Sequence, residues 1–236
     1  MGFRNVSSKS VMIQTEHQRR AYLEALGIDV WVPSDQAEPV EDGAAQQADA
    51  SAMDWPQLRD TVASCTRCPL HESRTQTVFG VGNTEADWLI IGEAPGAEED
   101  RRGEPFVGRA GKLLDEMLRA VGQGRERVFI ANILKCRPPN NRDPEPGEAA
   151  ACRHYLERQI ELIKPKIILA VGRIAAQQLL GTDSPVGRLR GRLHYLGDIP
   201  LVVTYHPAYL LRSPTQKRKA WDDLCLAMNV VAGHAA

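Results

Sequence analysis

Trp88-Leu89-Ile90-Ile91-Gly92-Glu93-Ala94-Pro95-Gly96 decides the fold, because an apolar run with no polar face passes directly into a glycine-bearing turn. A short run of that kind reads as a strand buried on both sides, as in parallel sheets. Three more runs share its character: Val128-Phe129-Ile130-Ala131-Asn132-Ile133, Lys166-Ile167-Ile168-Leu169-Ala170-Val171-Gly172 and Leu201-Val202-Val203-Thr204-Tyr205. Helical patterns separate and follow them. Residues 108–120 place Leu113, Leu114, Met117 and Leu118 on one face, and residues 148–163 do the same with Tyr155, Leu156, Ile160 and Ile163. Residues 173–180 and 216–230 complete the set. The alternation predicts an α/β protein, a three-layer α/β/α sandwich around a central four-stranded parallel sheet.

In such sheets ligands gather beyond the carboxyl ends of the strands. The first strand runs into Glu93, the second ends at Asn132 and the fourth leads to His206, so three unusual polar groups are expected on one rim. The third strand ends in Gly172-Arg173, from which no further chemistry is expected. Four cysteines stand apart from this pattern. Cys65 and Cys68 form a CxxC, Cys136 follows after 67 residues, and Cys152 after 15 more. Thiolates in this arrangement point to a metal centre joining two distant stretches, and four of them satisfy either zinc or an iron–sulfur cluster. Cys225, on an apolar stripe with Leu224 and Met228, is expected to be a buried spare.

A chain of 236 residues with 43% hydrophobic content can bury one good core. Residues 1–33 read as an N-terminal extension with a short helix (Ala21, Tyr22, Ala25, Leu26), then an extended segment ended by Pro33. Residues 34–54 are poor in large apolar side chains and read as a disordered acidic linker, and residues 55–236 form the main domain. Residues 1–55 hold 4 Lys/Arg against 9 Asp/Glu, whereas residues 56–236 hold 25 against 21, so the larger part is mildly basic and admits a nucleic-acid partner. No apolar run approaches the ~20 residues of a membrane span, and Val6 stands where a myristoylation signal needs Ser or Thr. A cytoplasmic monomer without a membrane partner is expected, its extension docking another protein. Gly80-Val81-Gly82 precedes a strand instead of following one, and Ala110-Gly111-Lys112-Leu113 lacks the full phosphate-loop pattern; neither implies a nucleotide cofactor.

The runs Gly92-Glu93-Ala94-Pro95-Gly96, Gly103-Glu104-Pro105-Phe106-Val107-Gly108-Arg109-Ala110-Gly111, Asn132-Ile133-Leu134-Lys135-Cys136-Arg137-Pro138-Pro139 and His206-Pro207-Ala208-Tyr209-Leu210-Leu211 occur in that order among the four cysteines. Together they resemble the family 4 uracil-DNA glycosylases, the iron–sulfur branch of that superfamily. The likeness covers roughly residues 55–231. It implies hydrolytic removal of uracil from single- or double-stranded DNA through a flipped-out nucleotide, and it tips the cysteine centre to a structural 4Fe–4S cluster on Cys65, Cys68, Cys136 and Cys152.

That reaction leaves negative charge on the departing uracil and needs a water at C1′. His206 is placed to donate a hydrogen bond to uracil O2, a task a neutral imidazole can perform. Asn132 can donate to O4 and accept from N3–H, which matches uracil and mismatches cytosine. Phe106 offers a flat surface for the flipped base. The resemblance implies that the loop of Gly92, Glu93, Ala94 and Gly96 grips the base and places the water, although related families carry Asp where this chain has Ala94. It also puts Glu99 against the C5 edge to exclude thymine, while Glu98 and Asp100 are expected to face solvent. The Tyr209–Pro214 stretch resembles a wedge loop, with Leu211 or Leu210 as its tip and Arg212 on phosphate. The basic runs 188–192 and 217–219 are expected to add phosphate charge. Two alternatives remain: a catalytically weak DNA-binding iron–sulfur protein of the same fold, and a relative that traps DNA covalently through a histidine in an Arg-rich loop, faintly matched by residues 188–194.

Overall fold

The computed structural model describes Leu26 and residues 50–233; the remainder of the expected extension and residues 34–49 of the expected linker lie outside the described residues. The domain begins before Trp55. Ala50 and Met53 are buried, and Arg158 donates to the Met53 carbonyl at 2.8 Å, so the last residues read as linker belong to the core.

The helix α1 (Trp55–Ala63) starts at a capping box: Asp54 accepts from the Gln57 amide at 2.9 Å and Gln57 Oε1 accepts from the Asp54 amide at 3.0 Å. A short α2 (Leu70–Ser73) follows, then β1 (Val81–Gly82), β2 (Trp88–Gly92), α3 (Ala97–Arg102), α4 (Arg109–Ala120) and β3 (Phe129–Asn132). The second half runs α5 (Pro146–Ile163), β4 (Ile167–Val171), α6 (Arg173–Leu180), α7 (Val186–Leu189), β5 (Leu193–Leu196), β6 (Ile199–Thr204), α8 (Pro207–Arg212) and α9 (Lys217–Val231). Helix α5 starts at Pro146, two residues earlier than its apolar period indicates, since proline suits a first helical turn and Glu145 and Glu148 close a capping box there.

The sheet has six strands in the order β1-β3-β2-β4-β6-β5, in place of the four expected. The middle four pair in parallel, and β1 and β5 add an antiparallel edge at either side. Both edges were invisible for local reasons. Strand β1 is two residues long, too short for any period, and Gly82 at φ 124° leaves no room for a Cβ, which would stand 1.9 Å from the Val128 carbonyl oxygen. Strand β5 is half exposed and lies in an Arg-rich stretch, joined to β6 by a two-residue turn in which Gly197 takes φ 59°.

Alternate residues of the buried strands serve opposite faces. Leu89, Ile91, Ala131, Ile168, Ala170 and Val203 pack with α5 and α6, while Trp88, Ile90, Ile130, Leu169 and Val202 pack with α4 and α9. Helices therefore cover both sides of the sheet. Among the described residues no helix is long and apolar enough to cross a membrane.

Candidate active site and cysteine centre

The carboxyl ends of β2, β3 and β6 open into a cavity of about 500 Å³, within the ~300–1,000 Å³ span usual for ligand sites. Glu93, Asn132 and His206 all line it, with Ala94, Gly96, Glu99, Phe106 and Arg212 of the expected set. The two loops that carry the first two groups are zipped together beyond the sheet: the Ile133 amide donates to Gly92 O and the Leu134 amide to Glu93 O, both at 3.0 Å.

Asn132 ends β3 with 2% exposure, and its Oδ1 is buried with no hydrogen-bond partner among the described residues. An orphaned buried amide oxygen is costly unless a ligand supplies its donor. Gly92 makes this approach possible. A Cβ there would stand 2.4 Å from Asn132 Oδ1 and 2.6 Å from the Phe106 ring.

His206 forms the N-cap of α8, and the Ala208 amide donates to its Nδ1 at 3.1 Å. That bond leaves the imidazole proton on Nε2. Burial, with Arg212 nearby, pushes the imidazole down to about 4 against a smaller opposing pull from Glu99, so the ring is a neutral donor at physiological pH. Phe106 lies alongside it, ring centroids 5.6 Å apart and planes 29° from parallel. Phe106 holds a left-handed φ of 55°, a costly conformation for an aromatic residue. Arg125 clamps it by donating to Phe106 O at 3.2 Å and Pro105 O at 2.7 Å while paired with Asp115 at 2.9 Å.

Burial raises the Glu93 carboxyl to about 7; Asp143 adds to the rise and Arg173 opposes it. Arg173 in turn pairs with Asp143 and lines a neighbouring groove together with Glu93, His206, Tyr205 and Tyr209. The end of the third parallel strand thus contributes to the site after all. Glu99 Oε1 accepts from the amides of Val107 and Gly108 at 3.0 and 3.2 Å, which fixes the loop behind Phe106. Glu98 is exposed beside Arg101 and Arg102, as expected. Asp100 is not: with 3% exposure it accepts from the Thr75 amide at 2.9 Å, tying α3 to the segment after α2.

Leu211 is 38% exposed and Leu210 fully buried, so only the former is available as a wedge tip. Arg190 is committed to Asp223 at 2.8 Å and is no free phosphate ligand. His194 sits on β5 with Nε2 bonded to Leu189 O at 2.7 Å and lines no part of the cavity. Pro138, Asn141 and Arg142 do line it, from a loop of which the sequence motif covers only the start, to Pro139. Asn140 and Asn141 take φ 55° and 54° there, and Arg142 is held by the buried Glu148 at 2.6 and 2.9 Å. An Asn-Asn pair between prolines and Asp is a turn signal that could have marked it.

Cys65, Cys68, Cys136 and Cys152 line one small cavity with Val62, Arg74 and Tyr155. Arg74 donates to Cys136 Sγ at 3.1 Å and the Lys135 amide to Cys152 Sγ at 3.3 Å, donors suited to negatively charged sulfur. Burial raises the Cys68 and Cys136 thiols and lifts Cys152 to about 12, so without a cationic centre they stay protonated. Among the described residues no three Cys, His, Asp or Glu side chains close on a single-ion site. Four thiols that line one cavity beside an arginine and an amide donor form a donor set suited to a thiolate-bound metal centre. Cys225 on α9 is half-buried where a buried residue was expected, and it does not line this cavity.

The family model of the uracil DNA glycosylase superfamily matches residues 79–225. A type-4 uracil-DNA glycosylase of Thermotoga maritima is 49% identical over 158 residues, covering 66% of this chain and 82% of the relative. One from Archaeoglobus fulgidus is 44% identical over 170 residues, covering 69% and 85%, and one from Pyrobaculum aerophilum 43% over 183, covering 74% and 93%. With so much of each sequence shared, the chain belongs to the uracil-DNA glycosylase superfamily, in its type-4 branch.

Proposed function

We infer that this chain is a DNA repair glycosylase that hydrolyses the N-glycosidic bond of deoxyuridine in DNA, releasing uracil and leaving an abasic site. Membership of the type-4 branch supports the reaction. The observation that carries the residue roles is the single cavity in which a neutral imidazole donor, an unsatisfied amide oxygen and a carboxyl with a pKa about 7 meet.

Asn132 Oδ1 accepts from uracil N3–H and its amide nitrogen donates to O4. Cytosine presents a bare N3 and an amino group to the same atoms, so both contacts become mismatches in a dry site. Asn132→Asp is expected to cut uracil release by about 10²-fold and to raise cytosine release relative to uracil. Equal loss on both bases from a folded variant would count against this assignment. The flipped base lies on Phe106, Glu99 meets its C5 edge, Leu211 fills the gap it leaves in the stack and Arg212 holds phosphate. His206 Nε2–H meets O2 as charge develops there.

Glu93 in its carboxylate form orients the water at C1′, a role made necessary by Ala94 at the place where related families carry Asp. Since its pKa is raised to about 7, the active form is gained as pH rises. The rate on uracil-containing DNA is expected to climb with unit slope from about pH 5 to 7 and then level, and Glu93→Gln to flatten that limb. Stability runs the other way. An unfolded carboxyl ionises near 4.5 while the folded one keeps its proton to about 7, so stability is full below 4.5 and falls between those values. After allowance for solvent screening, Glu93→Gln gains roughly 1–2 kcal/mol at pH 8. A pH-independent difference in melting temperature between the two proteins would refute it.

The four cysteines fit a 4Fe–4S cluster, which when bound supplies a cross-link between residues 65–68 and residues 136 and 152. The decisive experiment measures iron and sulfide in anaerobically purified protein and free uracil released by the same sample from a single-stranded oligonucleotide. Iron-loaded, folded protein without uracil release would leave a DNA-binding role in its place. A covalent adduct surviving a denaturing gel would point to the trapping chemistry, for which His194 is poorly placed.

A further inference from the structure

Lys135 is 1% exposed, the largest charged side chain in the core, and among the described residues no carboxylate pairs with it. Taking an ammonium out of water costs several kcal/mol even after relaxation, so its retention requires compensating contacts. Two are in place. Lys135 Nζ donates to the backbone carbonyl of Asn132 at 2.9 Å and to Gln159 Oε1 at 2.6 Å. Gln159, itself fully buried, is fixed by donating from Nε2 to Phe79 O at 2.9 Å. The chain of bonds runs from the segment preceding β1, through α5, to the residue that ends β3.

The Asn132 carbonyl lies where β3 leaves the sheet, so its peptide plane sets the direction in which the side-chain amide enters the cavity. The same Lys135 contributes its own amide to Cys152 Sγ and precedes Cys136, so its backbone is tied to the cysteine centre while its side chain reaches back three residues to the pocket.

We propose that Lys135, anchored by Gln159, is the positioning residue for the base-reading amide of Asn132, holding it in the orientation that meets N3–H and O4 of the extruded uracil. The inference rests on the reading of the cavity as a uracil pocket. It makes no demand on the sulfur centre beyond the tethering of the Lys135 backbone.

The test is a double-mutant cycle on purified full-length protein with uracil-containing single-stranded DNA. Lys135→Met keeps length and apolar stem and removes the donor. Its single-turnover rate is expected to fall about 10–100-fold, with less than about threefold change in DNA dissociation constant and with iron and sulfide content unaltered. In an Asn132→Ala background the same replacement is expected to have almost no further effect, because the group being positioned is gone. Gln159→Leu, which leaves the lysine but frees its anchor, is expected to show a smaller loss in the same direction and the same non-additivity. Equal fold losses in both backgrounds would overturn the proposal. So would losses that track iron content in both single variants, since Lys135 would then merely support the metal centre. Absence of uracil release from iron-loaded wild-type protein is a separate outcome that defeats the glycosylase reading itself. In that case loss of the proposal follows from the parent reading and not from the cycle.

Discussion

Replacing His206 with alanine is expected to slow the single-turnover release of uracil by about 10²–10³-fold, or roughly 3–4 kcal/mol, while DNA affinity shifts by less than about threefold. The asymmetry follows from the role proposed for the imidazole. Uracil O2 in the intact nucleotide is a weakly charged carbonyl, and its negative charge grows only as the bond to C1′ breaks, so a donor aimed at it discriminates transition state from ground state. Three features make this imidazole such a donor. The Ala208 amide occupies Nδ1 and leaves the proton on Nε2; burial beside Arg212 holds the ring neutral down to about 4; and the Cβ-free Gly172 lets the backbone approach closely, a Cβ there falling 3.0 Å from that of His206. Loss of the N-cap costs about 1 kcal/mol of stability as well, which a parallel melting curve separates from the rate effect. A variant that loses DNA binding in step with rate would show His206 to be a ground-state contact.

The rim of the sheet was legible because the strands that bear it are apolar throughout and the residues that end them are not. Glu93 and Asn132 stand at the ends of runs of buried apolar residues and His206 three residues past the buried Val203, and their convergence in one cavity required only that the four strands lie side by side in parallel. What escaped was whatever depends on pairs distant in sequence. Asp100 looked like one more acidic residue in an exposed helix turn, since its partners, the amides of Thr75 and Gln76, lie about a quarter-hundred residues earlier and leave no local trace. Arg173 followed an unremarkable glycine, yet Asp143 and Glu93 meet it from other loops. Lys135 was hidden within a motif read for its neighbours. The edge strands failed for a different reason: β1 is too short to have a period and β5 too exposed to have an apolar one.

These missed contacts share a direction. Asp100 ties α3, which carries Glu99, to the segment that holds Arg74, and Arg74 bonds Cys136. Lys135 ties Asn132 to the backbone beside Cys152. The rim groups are thus braced from beneath by the stretches in which the four cysteines sit, an arrangement that fixes the active geometry only if those stretches are themselves held together.

Cys152→Ser is accordingly expected to lower the melting temperature by about 10 °C and to reduce uracil release at least about tenfold in the fraction that remains folded. A cross-link closing the 67-residue interval between Cys68 and Cys136 is worth roughly 4 kcal/mol in chain entropy alone, and a domain of this size shifts about 2–4 °C for each kcal/mol. Little offsets that loss. Burial raises the thiols left behind, Cys136 among them, so in the emptied site they stay protonated and form no charged pair with Arg74 that could replace the cross-link. Serine keeps the size of the side chain and sheds its affinity for iron, which confines the change to the centre. The measurement is iron and sulfide content, calorimetric unfolding and uracil release on one preparation, with Cys225→Ser as a control that keeps all three because its sulfur lies on α9 outside the cavity. If Cys152→Ser loses its iron yet melts and turns over as the parent does, the bracing drawn from Arg74 and Lys135 is wrong, and the pocket must hold its shape from the sheet alone.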